Sequence, residues 1–168
     1  HAHSAMTLLR GVADDLPLKA WLEDHIWPRE ARLVSPEFVR DGTLVACAEM
    51  LAGGITCCND MYFYPDASAR VFEETGLRAM IGLPVLDFPT PDAPDADGCL
   101  QAGRSARDAH KHSRRLAFSI TPHAPYTVSD ASFAKIVTYA RQLDLPIHTH
   151  LQETRVERDD ALAATGAT

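Results

Sequence analysis

No run of apolar residues in the sequence approaches the ~18 that a membrane-crossing helix needs, and no signal peptide is visible. Neither a membrane partner nor an exported domain is therefore expected. The sequence also lacks any CxxC spacing. Its four cysteines are Cys47, Cys57, Cys58 and Cys99. The adjacent pair suits neither a disulfide framework nor a zinc knuckle, so free buried thiols in a reducing cytoplasm are the simplest expectation. Positive charge is scarce: 16 Lys+Arg stand against 23 Asp+Glu, a net charge of −7. No basic stripe can meet phosphates, which argues against a nucleic-acid partner. The one basic stretch, His110 to Arg115, reads as a solvated helix end. Linkers, repeats and low-complexity segments are absent too. What is there is globular: 168 residues, 46% of them hydrophobic, are enough for one domain with a core.

The order of elements is strand then helix, repeated. Ser35-Pro36-Glu37 gives an N-cap, a proline in the first helical turn and an early acid, opening a helix to about Leu51 that Gly53-Gly54 stops. Ile55 to Asn59 reads as a strand. Asp66 to Thr75 reads as a helix closed by Gly76. A strand over Leu77 to Leu86 follows, then a proline-rich loop, a helix over about Ala96 to His112, and a strand over Leu116 to Thr121. Ser129 caps a helix to about Leu143. Leu145 to Leu151 reads as a strand, with a last helix from about Glu153. Asp14-Asp15 reads as the cap of the helical segment Leu18 to Arg32. Strands apolar on both faces and alternating with helices predict parallel pairing through right-handed crossovers. A (β/α)8 barrel of the TIM type usually needs about 250 residues, so residues 1–168 are expected to be about the first half of one α/β barrel domain. A small doubly wound sheet is the alternative.

The residues suited to chemistry fall at strand ends, where a barrel keeps its active site. His1-Ala2-His3 places two imidazoles on one side of an extended segment, so both can reach one metal ion. In His148-Thr149-His150, the histidine nearer the strand end, His150, is the third candidate ligand, and His148 reads as a core residue. Glu153, one short turn on, can carry a proton to and from water activated by the metal. His123 sits in the rigid turn Thr121-Pro122-His123-Ala124-Pro125, suited to holding a substrate. Trp21, His25, Trp27 and Glu30 share one segment. Their aromatic faces suit a base, and Glu30 suits ribose hydroxyls. Asp60 reads as a brace for the metal ligands. One divalent metal ion, zinc before iron or manganese, is the cofactor expected.

His1-Ala2-His3 running into Ala5-Met6-Thr7-Leu8-Leu9-Arg10-Gly11, together with Gly53-Gly54-Ile55-Thr56, Asp60-Met61-Tyr62-Phe63, Pro122-His123-Ala124-Pro125-Tyr126 and His150-Leu151-Gln152-Glu153-Thr154, resembles the amidohydrolase superfamily. The likeness is to its branch of 5-methylthioadenosine/S-adenosylhomocysteine deaminases and related triazine chlorohydrolases. The resemblance implies His1, His3 and His150 as metal ligands, Glu153 as proton shuttle, and His123 and Glu30 as substrate contacts. It also implies a further histidine and an aspartate from later strands. Two departures follow. The chain stops before those residues, and Ile81-Gly82-Leu83-Pro84 lacks the arginine that some members use for the amino-acid tail of S-adenosylhomocysteine. With a ligand motif at residue 1 and no initiator Met, the natural N-terminus is expected upstream. The expected activity is hydrolytic deamination of an adenine nucleoside, a small-molecule partner, in a cytoplasmic protein with homo-oligomerisation left open. A triazine hydrolase, a nucleobase deaminase and a truncated non-catalytic homologue are the competing readings.

Overall fold

A computed structural model describes residues 1–167 of the chain. Ala2 pairs in parallel with Asp60 on β1 (Cys57–Met61), so the chain begins beside the sheet. A 3-10 helix, Ser4–Leu9, follows at once. After an irregular stretch come α1 (Leu18–Ala20), a π-helical stretch (Trp21–Ile26) and α2 (Trp27–Leu33), one after another. The widened turn precedes Pro28, which has no N–H to give to an ordinary helical bond and whose ring crowds the carbonyl four residues back. The aspartate pair does not cap this run. Pro17 stands at the N-cap, no side chain caps α1, and Asp15 adopts a left-handed φ of 67°.

The Ser35 hydroxyl accepts from the Phe38 N–H and opens α3 (Pro36–Ala52), as its sequence predicts. β1 starts at Cys57, two residues later than expected, because Gly53 to Thr56 are spent leaving the helix. α4 (Pro65–Thr75) ends on Gly76 at φ 77°, where a side chain would be strained. β2 (Arg78–Val85) and β3 (Leu116–Pro122) are joined by α5 (Ala96–His110), and α6 (Asp130–Leu143) and α7 (Arg155–Thr165) complete the chain.

The three strands pair in parallel in the order β1-β2-β3, with an intervening helix at each step. The Ala2–Asp60 bridge extends this sheet at one edge, and an Ile120–Ile147 bridge extends it at the other. Five extended segments thus lie side by side in chain order, which is one arc of a (β/α)8 barrel. The strand expected over Leu145 to Leu151 is reduced to that bridge. Pro146 has no N–H to donate, and His150 bonds to His123 O, beyond the end of β3.

Between sheet and helices lies an apolar core. Val71 and Phe72 of α4 pack with Leu77 and with Ile81 of β2, and Ile120 of β3 packs with Ile136 of α6, all almost wholly buried. Cys47, Cys58 and Cys99 are buried thiols, but Cys57 is exposed. His110 also departs from expectation. It is buried, with Nε2 2.9 Å from Asp66 and Nδ1 3.0 Å from Glu73, and it ties α5 to α4. No helix among the described residues is long and apolar enough to cross a membrane.

Candidate metal centre

The two ends of the arc bring three histidines together. His1 and His3 flank the Ala2 bridge at one edge, and His150 follows the Ile147 bridge at the other. One ring nitrogen from each lies within 4.8 Å of the other two. Nε2 of His1 and Nε2 of His3 are 3.3 Å apart. Two nitrogens bound tetrahedrally to zinc at about 2.0–2.1 Å must themselves be roughly 3.3–3.4 Å apart. The spacing therefore fits a shared ion.

The tautomers fit as well. His3 Nδ1 donates to Met61 O at 2.6 Å, and His150 Nδ1 donates to His123 O at 3.0 Å. Each bond leaves Nε2 bare to face the centre, the arrangement usual for imidazoles that bind metals. Burial, together with the neighbouring His150 and His148, holds His3 below the usual imidazole range, against the Met61 carbonyl that raises it. It is therefore neutral near pH 7, as a ligand must be. Asp60 accepts the Ser4 N–H at 2.7 Å and so fixes the chain directly after His3. Burial pushes that carboxyl up to about 6, although the bonds from Ser4 and Met61 lower it.

His123, after β3, lies with its ring 5.3 Å from that of His150. Its Nδ1 is 2.9 Å from Thr127 Oγ1, which leaves Nε2 as the free ring nitrogen. Burial, with His150 and His3 nearby, lowers it to about 4. Glu153 follows Gln152, which holds a left-handed φ of 54°. The N–H groups of Gln152 and Glu153 donate to the two carboxylate oxygens of Glu157, at 2.8 and 2.9 Å. Glu157 thereby holds the turn that carries Glu153.

A cavity of about 160 Å³ joins these groups. His3, His150, His123, Glu153 and Glu30 line it, and Trp21, Trp27, Leu22, Phe63 and Leu86 supply apolar walls. Glu30 is buried on α2 and takes a 2.8 Å hydrogen bond from the Tyr62 hydroxyl. Burial raises its carboxyl above the usual range, and the Tyr62 bond draws it back. All six residues singled out by sequence, His1, His3, His150, Glu153, His123 and Glu30, thus meet at one place. His25 does not: it is half-buried, lies outside the cavity lining, and its carbonyl accepts from Arg29. His148 is half-buried rather than in the core. Its ring lies 5.1 Å from that of His1, and its Nδ1 meets the Asn59 amide. Sequence reasoning missed Tyr62 and Glu157 as parts of the site. Thr154-x-x-Glu157 carries the capping-box pattern, so Glu157 had a readable signal.

The chain is 46% identical over 166 residues to a 5-methylthioadenosine/S-adenosylhomocysteine deaminase of Saccharophagus degradans, covering 99% of this chain and 37% of that protein. A protein of the same name from Thermodesulfovibrio yellowstonii is also 46% identical, with 99% and 38% covered. The crystal structure of an adenosine deaminase from Xanthomonas campestris with bound Zn superposes with a TM-score of 0.93 at 47% identity, over 98% of this chain and 38% of that one. Guanine deaminase from C. acetobutylicum, at 20% identity and a TM-score of 0.84 over 99% of this chain and 41% of its own, shares the fold. The chain thus spans somewhat over a third of the length of these relatives. The amidohydrolase family profile matches residues 1–168 throughout, and the chain belongs to the amidohydrolase family.

Proposed function

We propose that this chain forms the metal-binding part of a hydrolytic deaminase that converts an adenine nucleoside, 5-methylthioadenosine and/or S-adenosylhomocysteine, to its inosine analogue and ammonia. The observation that carries this reading is the meeting of His1, His3 and His150 beside an apolar-walled cavity that the Glu153 and Glu30 carboxylates also line. The names of the deaminases at 46% identity support the substrate class.

His1, His3 and His150 would hold one divalent ion, zinc by the chemistry of an all-imidazole set and by the relative with bound Zn. Such an ion supplies Lewis-acid activation of water at neutral pH. Glu153 lies on the cavity wall and takes the proton that water loses as its oxygen bonds to C6 of the purine. Glu153 passes that proton to ring nitrogen N1 as the C6=N1 bond opens; it then takes the second proton from the C6 hydroxyl and gives it to the amino nitrogen, so that the C6–N bond breaks and a ring carbonyl and ammonia result. His123 offers Nε2 to the purine ring. Trp21, Trp27 and Phe63 exclude water and hold the flat base. Glu30, which lines the same cavity, accepts from ribose hydroxyls.

The test is Glu153→Gln in the full-length enzyme, followed by ultraviolet loss at the adenine band and by metal analysis. The expected variant keeps its metal and loses at least about a hundredfold in kcat, the scale of a general acid/base. A variant that deaminates as fast as the parent would refute the role of Glu153. Retention of metal with no turnover of any adenine nucleoside by the parent itself would move the substrate to a triazine or a free base.

A further inference from the structure

Glu30 lies on α2 and Tyr62 follows β1, yet the two side chains meet as a buried pair. The Tyr62 hydroxyl donates to Glu30 Oε1 at 2.8 Å. Glu30 Oε2 has no hydrogen-bond partner among the described residues, and both side chains line the cavity. Tyr62 cannot drift: it packs with Ala5, Val34 and Val39, and its ring lies 5.1 Å from that of Phe63.

We infer that Tyr62 is a positioning residue for nucleoside recognition: its phenol holds one oxygen of Glu30 so that the other is presented to the ribose diol. The inference rests on the proposed ribose role of Glu30. A carboxylate pinned at one oxygen keeps a single orientation and loses less freedom when a diol binds. Burial by itself favours the protonated acid at Glu30, and the phenolic O–H counters it by bonding the anion. Without the phenol, the carboxyl group would turn, or take up a proton and become a poorer acceptor.

The experiment compares kcat/KM for adenosine with that for 2′,3′-dideoxyadenosine in the metal-loaded full-length enzyme. The ratio cancels losses from folding or metal content. Tyr62→Phe is expected to lower the adenosine preference about tenfold, through KM rather than kcat, the scale of one hydrogen bond to a charged group. Glu30→Gln should lower it at least as far, and the double variant no further than Glu30→Gln alone. A preference untouched by Tyr62→Phe, or losses that simply multiply in the double variant, would overturn the positioning role while leaving Glu30 in place. A preference untouched by Glu30→Gln would overturn the ribose reading itself, and the role of Tyr62 with it.

Discussion

Gly42 is where the scaffold and the metal centre bear on one another, and Gly42→Ala tests that link. Gly42 lies buried within α3, where the 3-10 helix after His3 crosses it. A Cβ there would stand 2.3 Å from Ala5 O and 2.9 Å from both Ala5 C and Ala5 Cα, all backbone atoms that cannot rotate away. Close carbon–oxygen contacts run at about 3.3–3.6 Å, so the two segments must separate by roughly 1 Å. The Thr7 hydroxyl bond to Gly42 O, 2.7 Å long, stretches with them. Overpacking of this kind costs about 1–3 kcal/mol, and the better helix propensity of alanine returns about 1 kcal/mol. The net loss of stability, about 0–2 kcal/mol, leaves the protein folded.

The larger effect falls on the centre. Ser4 to Leu9 begins one residue after His3, and the Ser4 N–H bond to Asp60 registers it against β1. A shift near 1 Å there exceeds the roughly 0.5 Å within which ligands must be held. Zinc affinity should fall about 10- to 100-fold, the range found when groups that orient ligands are lost. The assay is zinc competition against a chromophoric chelator, with a thermal melt on the same sample. Wild-type zinc affinity together with a raised Tm would show that α3 carries the alanine without moving the histidines, and would refute the reasoning.

Three further outcomes follow from the same geometry. Alkylation at pH 8, mapped by peptide mass, should label Cys57 first, because it is exposed, and Cys58 last, because burial and the nearby Asp60 push its thiol up to about 12. Equal labelling of the two would contradict the packing of β1. Glu157→Ala removes the acceptor that holds the Gln152 and Glu153 N–H groups, so kcat should fall about tenfold at unchanged metal content, measured by single-turnover kinetics. An unaltered kcat would show that the turn keeps its shape without Glu157. Desolvation works against the ionised form of Asp66, but hydrogen bonds from Arg70 and His110 outweigh it and hold the carboxyl below its usual range. A depressed carboxyl stabilises the fold above its unfolded pKa and loses that contribution as pH falls through its folded value. The stability gap between wild type and Asp66→Asn, read from urea melts, should therefore shrink as pH drops from about 6 to about 3. A gap that is constant or widens would contradict the ion pairing.

Local signals wrote most of the fold into the sequence. Ser35-Pro36, Gly76 and Ser129 fix helix ends through backbone geometry that few other residues can satisfy, and the structure places those ends where they are expected. The clustering of His1, His3, His150, Glu153 and His123 was also legible, because residues at the same ends of parallel strands must share one rim. What the sequence hid depends on partners far along the chain. The Tyr62–Glu30 bond spans 32 positions, and no local pattern announces it. His110 reads as solvated until α4 brings Asp66 and Glu73 against it. The aspartates before α1 have cap chemistry but stand too early, with Pro17 between them and the first turn. The segment over Leu145 to Leu151 is apolar enough for a strand, yet Pro146 removes a donor where the ladder needs one.

If histidines of this chain hold one metal ion that serves hydrolysis of an adenine nucleoside, ammonia release from 5-methylthioadenosine must depend on both. The full-length enzyme is assayed as purified, after chelation, and after return of one equivalent of zinc, with His150→Ala in parallel. Turnover should vanish on chelation, return with zinc in the parent and fail to return in His150→Ala. Turnover that survives complete metal removal, or that zinc restores equally in His150→Ala, would contradict that dependence.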